Sequence, residues 1–146
     1  MINKGGGKPP PLQIRGSGVS MPLYLKTRIT AVGPEVPELA EGGVLILFAD
    51  GAPPELAEVS VLHETEEGPL ESAPAPGAPI RIGSLAAEVT AIGETAWKKV
   101  REIGHVVINF NGAGKADRPG EICATAIDTA ALAAALQADA VIAIGE

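Results

Sequence analysis

The sequence contains one series of apolar segments twice, at a separation of 60 to 63 residues. Four pairs match in order: Ile29–Gly33 with Val89–Gly93, Val44–Phe48 with Val106–Phe110, Glu58–Val61 with Glu121–Ala124, and Pro79–Gly83 with Val141–Gly145. A drift of one or two residues is what loop insertions between fixed strands produce. The chain is therefore predicted to fold as two copies of one scaffold, at about residues 22–83 and 85–146.

Each copy is predicted to form four strands. They lie near residues 23–32, 43–49, 58–63 and 79–82 in the first copy, and near 86–92, 105–110, 120–126 and 140–144 in the second. The 18 glycines and 13 prolines punctuate short apolar runs, which is typical of an all-β domain with many turns. Four strands cannot bury a core alone, and barrel closure removes exposed edges. We therefore expect one all-β, barrel-like domain with a pseudo-two-fold axis.

One or two short helices are expected beside the strands. Apolar residues recur every three positions between Thr95 and Gly104, and the glycine supplies a C-terminal stop. A second helix is predicted after Asp128, a favourable N-cap ahead of an Ala/Leu run. At the place in copy one that matches the first helix, Pro34 and Pro37 predict a looser turn.

Charge and hydropathy exclude several classes of partner. The net charge is −7, and because the first 20 residues hold three bases and no acid, residues 21–146 carry −10. An acidic domain repels phosphate backbones and anionic lipids, so we expect no nucleic acid and no membrane surface as partner. A basic protein partner is favoured. The longest apolar run, Val44–Ala49, is far too short to span a bilayer.

The N-terminus and the cysteine content suggest a compartment. Residues 1–20 are rich in glycine and proline and are interpreted as a disordered leader or tag, with Met21 a plausible true start. They contain no apolar stretch of signal-peptide length. The single cysteine, Cys123, cannot form an internal disulfide. Together these features predict a soluble cytoplasmic protein.

His63 is the main candidate for function, because at an offset of 63 it falls on Ala126. Two copies of one scaffold share the packing problem, so a residue present in one copy only is less expected to be a core requirement. His63 follows an apolar strand and precedes the acidic run Glu64–Gly68, which places it where a strand meets a loop. A neutral imidazole is a good nucleophile near pH 7. A surface histidine without a function remains the alternative.

The second histidine, His105, matches Gly43 of copy one. It could orient His63 across the axis, but satisfying local backbone groups is the favoured interpretation. No third ligand accompanies the two histidines, so no metal site is predicted. There is also no GxSxG motif, and Gly112–Ala116 is not a Walker A loop. Cys123, aligned with Ser60, is predicted to be a buried and inert thiol.

Residues 21–146 resemble the glucitol/sorbitol-specific IIA component of the bacterial phosphoenolpyruvate-dependent sugar phosphotransferase system (PTS). The resemblance runs nearly end to end and in order. It rests on Tyr24–Gly33, Leu45–Leu56, Val61–His63, Val89–Gly93, Ile103–Val106, Phe110–Gly112 and Pro119–Gly120.

The resemblance implies a cytoplasmic phosphotransferase component that needs no cofactor. It implies that His63 accepts a phosphoryl group from the histidine phosphocarrier HPr and passes it to a cysteine of the IIB component of the sorbitol IIB/IIC transporter. We expect His63 in a shallow, mainly apolar surface depression. Thr65 stands where some family members have a second histidine; it, Gly68 and the Gly51–Ala52 turn are candidate donors to the phosphoryl oxygens. The alternative is a regulatory barrel that transports no sugar and is switched by histidine phosphorylation.

Overall fold

The computed structural model describes residues 22–146, which form eight strands and four short helices. In copy one these are β1 (Leu23–Val32), α1 (Val36–Glu41), β2 (Val44–Ala49), α2 (Pro54–Ala57), β3 (Val61–Glu67) and β4 (Pro79–Ile82). In copy two they are β5 (Leu85–Ile92), α3 (Ala96–Ile103), β6 (Val106–Asn109), β7 (Glu121–Ala124), α4 (Thr129–Ala135) and β8 (Val141–Gly145). The predictions for residues 1–20 and Met21 lie outside the described residues.

The eight strands close into one barrel in the order β1-β3-β2-β6-β7-β5-β4-β8. Exchanging each strand of copy one with its counterpart in copy two leaves this ring unchanged, as a pseudo-two-fold axis requires. Only β2 with β3 and β6 with β7 pair in parallel. The predicted barrel and its internal symmetry are confirmed.

The fourth strand of each copy completes the sheet of the other copy. β4 pairs with β5, the first strand of copy two, and β8 pairs with β1, the first strand of copy one. The two fourth strands also pair with each other, with Ile80 opposite Ile144 and Ile82 opposite Ile142. All four of these isoleucines are buried. Neither copy closes without the other.

Strand register identifies the true counterpart of each residue. Ile29 lies opposite His63, and its repeat Val89 lies opposite Ala124. His63 therefore corresponds to Ala124, at an offset of 61, and the match to Ala126 is wrong. The residue in the second copy is still an alanine.

The same correction applies to His105. Gly43 and Gly104 each follow a helix with a left-handed backbone, at φ of 80° and 64°, so they are equivalent at an offset of 61. His105 then corresponds to Val44 and not to Gly43. The offset of 62 taken for β2 and β6 would superpose partly exposed Val44 on buried Val106, and a one-residue slip moves every side chain to the opposite face.

Two of the four helices are those predicted from the sequence. Gly104 ends α3 in the left-handed conformation, and the Asp128 carboxylate accepts hydrogen bonds from the backbone of the first turn of α4. The looser turn predicted in copy one is instead helix α1, and α2 was also missed. Both have proline in the first turn, where its fixed φ is compatible with a helix and its missing N–H leaves no bond unmade.

The bounds predicted for β3 are wrong, because the strand begins at Val61 and continues to Glu67. The sequence predicts a loop for the acidic run, but the run pairs with β1, with Arg28 opposite Glu64 and Lys26 opposite Glu67. Opposite charges on neighbouring strands stabilise such a pair modestly. His63 therefore lies within a strand and not at its end.

Two equivalent glycines, which follow β1 and β5, each lie close to the backbone of another segment. A Cβ at Gly33 would lie 2.2 Å from the Ala57 carbonyl oxygen, and one at Gly93 would lie 2.3 Å from that of Pro119. We predict that Gly33→Ala and Gly93→Ala each lower the free energy of unfolding by about 3 kcal/mol, since backbone must move. Urea denaturation measures this, with Gly114→Ala, which has open space around it, as the control. Equal stability of Gly93→Ala and Gly114→Ala would contradict the close approach.

Candidate functional site

His63 lies in the barrel wall and not in a surface depression. Its side chain is only 2% exposed, so the expectation that it lies at the surface is wrong. Its backbone is flanked by Ile29 on β1 and Ala49 on β2. The imidazole is buried on the same side of β3 as Val61, because alternate side chains of a strand share a face.

Both ring nitrogens of His63 make short hydrogen bonds. Nε2 lies 2.7 Å from the carbonyl oxygen of Gly104, and Nδ1 lies 2.6 Å from Oγ1 of Thr27. A carbonyl oxygen only accepts, so Nε2 carries the proton and donates it to Gly104. Nδ1 then has the lone pair, and the Thr27 hydroxyl donates to it. The two partners fix both the ring orientation and its tautomer.

The imidazole is held in its neutral form. Burial lowers the pKa of His63 below its usual value, because a charged ring loses hydration there. The hydrogen bond to Gly104 and the charge of Asp50 oppose this effect without overcoming it. A neutral ring keeps a lone pair on one nitrogen at pH 7, which a nucleophile requires.

The candidate phosphoryl-binding residues are distributed unevenly around His63. The turn at Gly51–Ala52 is close, since the N–H of Asp50 donates to the His63 carbonyl oxygen at 3.1 Å. Thr65 is exposed and lies opposite buried Thr27 in the β1–β3 pair. Gly68 lies beyond the end of the strand, against the backbone of Tyr24.

The acidic residues that follow His63 are partly neutralised by one arginine. Arg28 contacts Glu64 at 2.8 Å, Glu66 at 3.7 Å and Asp139 at 3.0 Å. These groups are solvent-exposed, so the ion pairs add little stability. They do reduce the negative field along β3.

His105 does not contact His63 through its ring. Its Nδ1 donates to the Leu47 carbonyl oxygen at 3.0 Å, and the ring stacks at a tilt on Phe48 with centroids 4.9 Å apart. The predicted role in satisfying local backbone groups agrees with this geometry. The residue of copy two that reaches His63 is its neighbour, Gly104.

The site is a local departure from the pseudosymmetry. Gly43, the equivalent of Gly104, accepts at its carbonyl oxygen the backbone N–H of Phe110 at 2.9 Å. At Gly104 the carbonyl accepts the His63 imidazole instead. Thr27 corresponds to Ala87, since these residues lie opposite Ile142 and Ile80, which are themselves a repeat pair. Copy one thus has a threonine and a histidine where copy two has two alanines.

Other reactive groups offer no second centre of this kind. Cys123 is 1% exposed, and burial raises the pKa of its thiol, as expected for an inert cysteine. Between residues 22 and 146, no three His, Cys, Asp or Glu side chains are close enough to hold a metal ion. The described helices are also too short or too polar to cross a membrane.

Comparison with known proteins decides the family. The family model described as PTS system glucitol/sorbitol-specific IIA component matches residues 24–142. The glucitol/sorbitol-specific EIIA components of Shigella flexneri and Escherichia coli K12 are each 34% identical over 102 residues, covering 70% of this chain and 81% of theirs. The chain belongs to the glucitol/sorbitol-specific IIA family. The resemblance inferred from the sequence motifs is confirmed.

A solved structure supports the fold of this IIA component independently of sequence. The crystal structure of a PTS system IIA component from Enterococcus faecalis V583 matches with a TM-score of 0.63 and 17% identity. The match covers 83% of this chain and 99% of that one. Membership in the family is consistent with a phosphoryl-carrier role in sugar transport.

Sequence reasoning missed two groups that contact His63, Thr27 and the Gly104 carbonyl. Thr27 could have been found by the criterion that selected His63, because at the correct offset of 60 it aligns with an alanine. The Gly104 carbonyl has no such signal. Every residue has a backbone carbonyl, and only the fold shows which one the imidazole reaches.

The pair Thr27–His63 should be energetically coupled. Thr27→Ala and His63→Ala each leave a buried polar group of the IIA component without its partner, so each should lower the free energy of unfolding by about 1–3 kcal/mol, plus cavity terms. The double variant reproduces the alanine pair of copy two. Its loss of unfolding free energy should be at least about 1 kcal/mol smaller than the sum of the losses in the two single variants. Urea denaturation of the four proteins measures this. Strict additivity would contradict the coupling.

Protonation of His63 should reduce stability. Its pKa is lowered in the folded state, so the unfolded chain binds a proton first as the pH falls below about 6.5. Stability attributable to His63 is therefore complete above that pH and is lost toward the lower folded pKa, at most about 1.4 kcal/mol per pH unit. The test is the unfolding free energy of the wild type minus that of His63→Ala, measured from pH 7.5 to pH 5. This difference should become smaller as the pH decreases. A constant difference would contradict the shift.

Proposed function

We propose that this IIA component is a histidine phosphoryl carrier in which His63 accepts the phosphoryl group from HPr and passes it to a cysteine of the IIB component. The observation that carries the proposal is a neutral imidazole, oriented by two short hydrogen bonds, at a position that is alanine in the second copy. A structural requirement shared by both copies would not explain it. The cytoplasm, where both partners would meet the chain, is the proposed location.

The transfer needs positioning more than covalent chemistry. The His63 lone pair forms a bond to phosphorus as the nitrogen–phosphorus bond of the donor breaks, and its electron pair stays on the donor imidazole. The second transfer repeats this with a cysteine thiolate as the nucleophile. No metal is needed to activate the donor in this scheme. Backbone N–H groups of the Gly51–Ala52 turn and the Thr65 hydroxyl are the proposed contacts to the phosphoryl oxygens.

Nε2 is the proposed acceptor nitrogen. Nδ1 points at Thr27, which is completely buried, whereas Nε2 points at Gly104, which is partly exposed. Access therefore requires that the Nε2–Gly104 hydrogen bond opens. Gly104 lies at the junction of α3 with β6, so movement at that junction would uncover the ring without disturbing the β1–β3 pair.

Two competing assignments each have an observation in their favour. His105 is more exposed than His63 and lines a cavity of about 380 Å³ with Lys99 and Arg118, which favours it as the phosphorylated residue. A regulatory barrel without transport is favoured by the bond from His63 to the end of α3, because phosphorylation would break that bond and move the helix. The first alternative changes which histidine is phosphorylated. The second changes what the phosphorylation is for, regulation in place of sugar transport.

Phosphorylation with purified partners tests the proposal. Incubation with phosphoenolpyruvate, enzyme I and HPr should give an acid-labile phosphate on His63, with none on His63→Ala and a label retained by His105→Ala. Circular dichroism establishes that each variant is folded. A wild-type label on His105, or no label, would overturn the assignment.

The second half-reaction separates a carrier from a switch. Phosphorylated protein mixed with the IIB component should transfer its label to a cysteine within the mixing time of the assay. A label that stays on the IIA component would favour the regulatory role.

A further inference from the structure

The Thr27 side chain occupies a position at which a hydroxyl is unexpected. It is 0% exposed, among the aliphatic residues of the barrel interior, and its Oγ1 lies 2.6 Å from Nδ1 of His63. Burying a hydroxyl without a partner is unfavourable, and its equivalent in copy two is Ala87. The hydroxyl is present only where the histidine is present.

The resting tautomer of His63 is not the reactive one. With Gly104 as an acceptor, the proton sits on Nε2, and that nitrogen has no lone pair in the ring plane. For Nε2 to attack phosphorus, the proton must be on Nδ1. Inside the barrel wall, a proton on Nδ1 needs an acceptor, and Thr27 Oγ1 is at the required distance.

A threonine hydroxyl can serve both tautomers, because it donates through its proton and accepts through its lone pairs. We propose that Thr27 is a positioning residue that donates to Nδ1 in the resting state and accepts from Nδ1–H during phosphoryl transfer. This inference rests on the proposed function of His63. The hydroxyl reverses its role while the ring keeps its orientation.

The proton and electron balance of the step follows from this reversal. The opening that breaks the bond to Gly104 must admit water to both ring nitrogens: water takes the proton from Nε2 and gives one to Nδ1, and the ring then returns to Thr27 with its net charge unchanged. The Nε2 lone pair then forms the bond to phosphorus, and the donor nitrogen keeps the electron pair of the broken bond. The His63 ring becomes more positive, which strengthens the Nδ1–H to Thr27 hydrogen bond as the transfer proceeds.

Transfer to the IIB cysteine uses the same arrangement in reverse. The ring leaves phosphorus with its electron pair on Nε2 and its proton still on Nδ1. A side chain that could only donate, or could only accept, would stabilise one tautomer at the expense of the other. Serine should replace Thr27, and valine, of the same shape but without a hydroxyl, should not.

Three variants test this role: Thr27→Ser, Thr27→Val and, as a matched control, Thr90→Val. Thr90 also has a buried hydroxyl, which lacks a hydrogen-bond partner in the described part of the chain, and it lies in copy two away from His63. The rate of phosphorylation by HPr should fall about 10- to 100-fold in Thr27→Val, as expected for loss of one buried hydrogen bond. Thr27→Ser should remain within about threefold of wild type, and Thr90→Val should be unchanged.

Nitrogen NMR gives a readout that a purely structural role would not move. The chain has two histidines, so ¹⁵N-histidine labelling gives signals from two rings, and those that remain in His105→Ala are assigned to His63. The Nδ1 chemical shift should move in Thr27→Val and stay at the wild-type position in Thr27→Ser and Thr90→Val. Equal loss of rate in Thr27→Ser and Thr27→Val, or a wild-type rate in Thr27→Val, would overturn the role of Thr27 alone. A wild-type protein unlabelled at His63 would overturn the proposed function and this role together.

Discussion

The barrel closes only when both copies are present. The first strand of each copy is paired on one side by its own copy and on the other side by the fourth strand of the other copy. β1 is flanked by β3 of its own copy and by β8, and β5 is flanked by β7 and β4. Closure leaves no free edge, which is the usual weakness of a small sheet. It also brings the end of α3, from copy two, against the third strand of copy one. The contact between His63 and Gly104 is a consequence of this exchange.

The sequence predicts the barrel well, because the repeat of apolar segments is recognised even when the alignment of the two copies is wrong by one or two residues. It does not define register, since Val44–Phe48 matches Val106–Phe110 at an offset of 62 better than it matches His105–Asn109 at the true 61. Hydrogen bonding and burial separate the two, because a one-residue slip would turn Leu45 and Leu47 outward. The extension of β3 to Glu67 was also missed. Its acids lie opposite Lys26 and Arg28 on β1, a pairing between distant segments that a local sequence pattern does not show.

At the candidate site, the sequence identifies His63, whereas its burial and its hydrogen-bond partners become known only from the structure. His63 was identified because one copy has it and the other does not, and that asymmetry survives the corrected alignment with Ala124. Its burial was not predicted, because a nitrogen that both a donor and an acceptor protein must reach is expected at the surface, whereas His63 is 2% exposed. Thr27 is 36 residues away and Gly104 is 41 residues away. Their meeting with His63 depends on the β1–β3 register and on barrel closure, neither of which a local pattern contains.

Burial is compatible with the proposed reactivity of His63, because the imidazole is buried asymmetrically. On the Thr27 side it faces the barrel interior, where nothing is exposed, and on the Gly104 side it faces a partly exposed helix end. The low dielectric that lowers the pKa of His63 keeps the ring neutral. A carrier must accept from one protein and release to another, and in the proposed mechanism a single hydrogen bond, from Nε2 to the Gly104 carbonyl, covers the reacting nitrogen. The glycine at that carbonyl is itself constrained, because a Cβ at Gly104 would lie 2.8 Å from the Ala49 side chain.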